Sequence, residues 1–173
     1  MRRFSALAAT AILAASPAFA GCPAGTTPIL SCSFQGGAKV VTACQDDATA
    51  TYAFGKAGQA PDLALSTPIA DLAYTPWPGI GRSIWAQTAF ENQGVTYLLW
   101  FNYDKLDAID DAQAAGAPDP LTAGIIVLRG EEELTHLDCD AGSIQTEMEA
   151  LYEVKERLGQ CWDQGAQLWA MCE

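Results

Sequence analysis

Apolar residues beyond position 28 recur with a period of two, in short runs separated by turn-forming residues, and that pattern predicts antiparallel β structure. Residues 29–35 and 39–44 alternate on either side of Gly36-Gly37, a hairpin signal because glycine supplies the positive φ that tight turns demand. Residues 49–55 set Tyr52 and Phe54 on one face, and residues 62–66 do the same for Leu63 and Leu65. Residues 83–90 and 95–102 form a second predicted hairpin about Glu91-Asn92-Gln93-Gly94, and residues 122–128 and 132–139 a third across Arg129-Gly130. About eight short strands joined by tight turns predict a mainly β antiparallel meander, closed as a barrel or folded as a sandwich so that its edges are covered.

Three stretches break the alternation. Residues 103–121 are rich in Asp, Ala and Pro, so they read as an exposed loop with room for one helical turn. Residues 147–158 carry Met148, Leu151, Tyr152 and Leu158 at helical spacing, and Thr146 with Glu149 has the spacing of a capping box. This predicts a C-terminal α-helix that packs on the sheet, followed by a cysteine-closed tail in which Trp162 and Trp169 cover more of it. The third stretch is N-terminal: Arg2-Arg3, an apolar run from Ala6 to Ala15 broken only by Thr10, then Ser16-Pro17 and Ala18-Phe19-Ala20. Those three regions in that order predict a cleavable signal peptide over 1–20, with a new N-terminus at Gly21. The apolar run falls well short of the ~20 residues a membrane-spanning helix needs. The expected layout is therefore a leader over 1–20, a β domain over 21–145, and a helix and tail over 146–173 packed on that same domain.

Export changes how charge and cysteine are read. Cleavage removes two of the nine basic residues and none of the 21 acidic ones, so the formal charge deepens from −12 to −14. Such a chain repels nucleic-acid phosphate and anionic lipid headgroups, and its field suits solubility or a cationic partner. Cys22, Cys32, Cys44, Cys139, Cys161 and Cys172 read as three disulfides in an oxidising compartment. Zinc is disfavoured, because no cysteine pair has a metal-binding gap and His136 is the lone histidine. On one continuous helix Cys161 and Cys172 would stand ~16 Å apart, so they can bond only if the chain turns back, with Gly165 the natural place. A two-residue turn at Gly36-Gly37 sets Cys32 opposite Val41 and Cys44 opposite Ile29, so a direct Cys32–Cys44 bridge would need a bulge. The Cys161–Cys172 pairing is expected and the remainder stays open.

Candidate chemistry is sparse. His136 shares a strand face with Asp138, two residues on, which permits an orienting hydrogen bond, but no nucleophile elbow or free cysteine accompanies it. Glu131-Glu132-Glu133, Asp46-Asp47 and Asp110-Asp111 read as solvated turn or edge residues. No EF-hand loop, phosphate-binding glycine motif or dinucleotide fingerprint occurs, and no cofactor or metal is expected. The distinctive segment is residues 75–85, TPWPGIGRSIW, with Trp77, Gly79, Gly81, Arg82 and Trp85 as candidate binding residues. Proline restricts such a loop and glycine permits close backbone approach, while Trp and Arg are the side chains enriched at interaction hot spots. The competing reading makes Trp77 a lid over the open end of the barrel and Trp85 a core residue of the strand that follows, with Ile84 or Trp85 facing inward.

Three further motifs flank that loop: Ser31-Cys32-Ser33-Phe34 through Cys44, Tyr52-Ala53-Phe54-Gly55, and Leu137 through Ser143 (LDCDAGS). Taken with PWPGIGR in this order over residues 22–143, they resemble a group of small secreted proteins of Gram-negative bacteria, a resemblance that implies export but no activity. In size, export, disulfides and β pattern the chain is also similar to periplasmic lysozyme inhibitors, which implies a small β fold offering loops to a cationic lysozyme. It lacks their Ser-Gly-x-x-Tyr type signature, so no inhibitory residue carries over. Phe19-Ala20-Gly21-Cys22 is similar to a lipobox with Phe in place of Leu, which implies a tethered alternative through Cys22 that would leave five cysteines to pair.

Overall fold

The computed structural model describes residues 21–111 and 119–173; the expected leader at 1–20 and the centre of the expected loop, 112–118, lie outside the described residues. Among these the chain forms eleven strands, every pairing antiparallel. Strands β1 (Thr27–Phe34), β2 (Lys39–Gln45), β3 (Thr49–Lys56) and β4 (Leu63–Pro68) make one sheet in sequence order. A second sheet, also in sequence order, holds β5 (Ala73–Thr75), β6 (Ser83–Asn92), β7 (Val95–Asp104), β8 (Leu121–Arg129) and β9 (Glu132–Asp138). Helix α1 (Lys105–Asp111) follows β7, and α2 (Ala150–Arg157) precedes a small hairpin of β10 (Gln160–Asp163) and β11 (Leu168–Met171).

Of barrel and sandwich, the pairing gives a sandwich: two separate sheets whose inner faces meet. Alternation dictates those faces. Phe34, Val41, Ala43 and Tyr52 bury from the first sheet, and Ala86, Phe90, Leu99, Phe101 and Ile125 from the second. The Tyr52 ring joins the layers, 5.4 Å from the Phe90 centroid and 5.6 Å from that of Tyr97. The open edge of β1 is covered by the chain that leaves β9. Ser31 and Gln145 exchange backbone hydrogen bonds at 2.8 and 2.9 Å, and the Asp140 and Glu147 N–H groups donate to Ser33 and Pro28 at 2.8 Å.

The turns explain the registers. Gln93 and Gly94 take φ of 51° and 76°, the pair of left-handed values of a type I′ turn, so Asn92 faces Val95 and the hairpin is two residues longer per strand than the expected four-residue loop allowed. In the first hairpin Cys32 does face Val41. Cys44, however, faces Pro28 rather than Ile29, because a bulge between Pro28 and Leu30 drops Ile29 out of the ladder and buries Ile29 and Leu30 together.

All six cysteines are bridged: Cys22–Cys44, Cys32–Cys139 and Cys161–Cys172. Cys32–Cys139 ties β1 of one sheet to the end of β9 in the other. Cys161–Cys172 closes the β10–β11 hairpin, with the chain turning back over residues 164–167 as the spacing required.

The C-terminal helix forms later than the sequence pattern places it, at Ala150 rather than 147. Its capping box is not made: the Thr146 hydroxyl donates to the Ile29 carbonyl at 2.7 Å and accepts the Met148 N–H at 3.3 Å rather than that of Glu149, which makes no side-chain cap at the helix start. Leu151 and Val154 bury against the sheets with Met148, whereas Leu158 lies past the helix end and is exposed. The residue that replaces it on the buried side is Lys155, 1% exposed. Its Nζ donates to the Ile69 carbonyl at 2.9 Å and to Gln160 Oε1 at 3.2 Å, and it lies 5.4 Å from the Trp169 ring centroid. Burial lowers its pKa to about 8, against an opposing pull from Asp71.

Candidate functional site

The loop between β5 and β6 is held from both ends. Pro76 is buried, while Gly79, Ile80, Gly81 and Arg82 are exposed. Gly79 and Gly81 take φ of 81° and 105°, values that favour glycine and let the chain fold tightly over itself. The Trp77 indole N–H donates to the Ile80 carbonyl at 3.0 Å, closing the loop on its own aromatic ring. Lys105 Nζ sits 5.1 Å from the centroid of that ring.

Arg82 is the clamp. Its Nε donates to Asp104 at 2.9 Å and its Nη2 to Asp107 at 2.9 Å. Asp104 also accepts the backbone N–H of Leu106 at 2.9 Å and of Asp107 at 3.2 Å, so one carboxylate caps α1 and anchors the loop. The Arg82 hydrogen bond holds the Asp104 carboxyl below its usual range, and Asp104 in turn raises the guanidinium. Residues 76–82 and α1 therefore form one unit whose two cations are already partnered. Its apolar tips are left in solvent: Ile80 is 76% exposed and Leu106 is 52% exposed.

Trp77, Gly79, Gly81 and Arg82 thus come together. Trp85 does not join them. The buried residues of β6 are Ala86, Thr88 and Phe90, so Ile84 takes the inward face and Trp85 is turned outward, half-buried. On that same outer face Leu98, Trp100 and Ile126 are also half-buried. The Trp100 ring lies over Gly124, where a Cβ would come within 3.0 Å of it, and its indole N–H is buried without a hydrogen-bond partner. His136 meets the Trp100 ring edge-on at 5.9 Å.

The expected same-face contact of His136 with Asp138 is present, with Nε2 3.3 Å from Oδ1 and both side chains exposed. Among the described residues no hydroxyl donates to His136, and the cysteines are consumed in bridges. Nor does any cluster of three or more His, Cys, Asp or Glu among the described residues offer a metal its ligands. No helix among them is long and apolar enough to cross a membrane.

Asp104, Lys105, Leu106 and Asp107 complete the unit and were not singled out by the sequence. Their only local signal is Asp104-Lys105-Leu106-Asp107 itself, an acidic residue three before another at the start of a helical turn. The chain matches no known protein family, no curated protein and no solved structure.

Proposed function

We propose that this chain is an exported binding protein of the bacterial envelope or exterior, which takes a cationic protein partner through the unit of residues 76–82 and α1. The observation that carries the proposal is the pinned pair of apolar tips, Ile80 and Leu106, on a base where Arg82 and Lys105 are already partnered. Such a base spends little entropy on binding, because its anchors are held before the partner arrives. The formal charge of −12 over the whole chain draws a basic protein toward it. The leader pattern at 1–20 and the pairing of all six cysteines support an oxidising, extracytoplasmic address. With Cys22 bonded to Cys44, its sulfur is not free for lipid, so the untethered form is the one proposed.

Inhibition of a basic lysozyme is the concrete form of this function. The test is calorimetric titration of the chain from residue 21 against a basic c-type lysozyme at about 0.02 M and about 0.5 M salt. Binding that weakens as salt rises is expected. Ile80→Asp and Leu106→Asp should each weaken it at least about tenfold, as loss of a central anchor does. Arg82→Ala should weaken it by releasing the loop from α1. Absence of binding at the lower salt removes lysozyme as the partner, and full affinity in both Asp variants moves the interface elsewhere.

A further inference from the structure

A cavity of about 290 Å³ opens between the two sheets beside the β1–β2 turn. Its walls are inner-face side chains, Tyr52 and Phe54 from β3 against Tyr97, Ile125 and Val127 from β7 and β8. Tyr52 and Ile125 are almost wholly buried and close its floor, while the half-buried Phe54, Tyr97 and Val127 form its walls. Aromatic rings surround it at oblique angles. Tyr52 and Tyr97 are inclined by 38°, and Phe34 and Phe54 by 57°.

The rim carries a different chemistry from the rest of the molecule. Acids outnumber bases 21 to nine in this chain, yet among the described residues no carboxylate lines the cavity. Lys39 and the Gln35 side chain do. Lys39 Nζ stands 5.5 Å from the Phe54 ring centroid and has no carboxylate within salt-bridge distance among the described residues. Burial, with Tyr97 beside it, keeps the Tyr52 phenol protonated well above its ordinary range, so the floor adds no negative charge. An apolar slot with one unpaired cation at its mouth selects an apolar group that ends in a single negative charge. The volume falls just below the ~300–1,000 Å³ range of ligand pockets, which limits the apolar part to one alkyl chain or one ring.

We propose that this cavity binds a small amphipathic monocarboxylate, its tail between the sheets and its carboxylate on Lys39. The site is separate from the α1 unit and independent of the protein partner proposed for it.

Decanoate and decanol, each titrated below its aggregation limit into the disulfide-bonded chain, test this by calorimetry and by the methyl NMR signals of Ile125 and Val127. Decanoate is expected to bind and to shift both methyls, and decanol to bind about tenfold more weakly for want of the ion pair. Lys39→Gln should erase the difference between the two ligands. Val127→Phe, which fills the slot, should abolish both, with circular dichroism confirming the fold; should that variant not fold, Lys39→Gln alone decides. Decanoate that leaves both methyls unmoved, or that binds Lys39→Gln as tightly as the parent, overturns the proposal. Ile80→Asp should leave decanoate binding unchanged, so failure here and failure of the lysozyme titration are separate results.

Discussion

Replacing Cys32 and Cys139 by alanine removes the bridge that spans the largest loop in the fold, with a sequence separation of 107 against 22 for Cys22–Cys44 and 11 for Cys161–Cys172. If cross-links act chiefly by restricting the unfolded chain, their loss costs about 4.8, 3.4 and 2.8 kcal/mol respectively at 25 °C. Packing pushes in the same direction. Cys32 is 4% exposed, so its truncation also leaves unfilled volume in the core, whereas Cys161 and Cys172 are exposed and leave none. Against a total stability of about 5–15 kcal/mol, the C32A/C139A variant loses a third or more of it. Urea unfolding of the three paired Cys→Ala variants without reductant measures the order directly. The slope should steepen in each, since an uncrosslinked chain exposes more surface, so free energies must come from complete fits rather than midpoints alone. A tail variant, C161A/C172A, that loses as much stability as C32A/C139A would refute the loop-entropy reasoning.

Lys155 makes stability depend on alkaline pH: its native pKa of about 8 lies below its unfolded value of 10.5, so the unfolded state holds the extra proton and stability climbs above pH 8. Near pH 10.0 the climb should reverse, because Tyr52 and Tyr74 ionise there when unfolded but are kept protonated by burial when native; urea midpoints across this range should lose the climb in Lys155→Met, and a retained climb would assign it elsewhere. Gly124→Ala should destabilise by about 1–3 kcal/mol, since the new Cβ collides with the Leu137 carbonyl and presses on the Trp100 ring; an unchanged melting temperature would contradict that close approach. Asp140 accepts the N–H groups of Gly36 at 3.0 Å and Gly37 at 2.8 Å and the Ser33 hydroxyl at 2.7 Å, which holds its carboxyl below the usual range. Asp140→Ala should therefore speed amide exchange at Gly36 and Gly37 at neutral pH, with the gap to the parent closing as acid protonates the native carboxylate; equal exchange rates at neutral pH would count against the clamp.

Most of the meander was legible because period-two alternation and turn chemistry are both local. The parts that were not depend on contacts from elsewhere in the chain. β5 is three residues long and β10 and β11 four each, too short for a period to register; what makes β10 and β11 strands is the Cys161–Cys172 closure and the anchoring of Trp169, whose indole donates to the Tyr74 carbonyl at 2.8 Å. The capping-box spacing at Thr146 and Glu149 was real, but the Thr146 oxygen accepts the Met148 N–H, its proton goes to the Ile29 carbonyl 117 residues away in sequence, and the helix starts only at Ala150. The bulge at Ile29 had a signal of a kind, two adjacent apolar residues after Pro28, yet alternation alone assigns one of them to solvent.

The same dependence explains why the loop was conspicuous in sequence while the partners of its arginine were not. A four-residue loop at 91–94 would pair Phe90 with Val95 and so Ser83 with Asn102. The tighter turn at Gln93-Gly94 instead sets Ser83 opposite Asp104, which puts a carboxylate beside Arg82. A slip of two residues preserves every inward and outward assignment, so the hydrophobic pattern gives no warning of it. It changes the chemistry of the site all the same. Arg82 becomes the rivet between loop and helix, and the exposed apolar side chains of the unit are Ile80 and Leu106. For the proposed partner this means an apolar socket for Ile80 and Leu106, because Arg82 and Lys105 are already engaged within the unit.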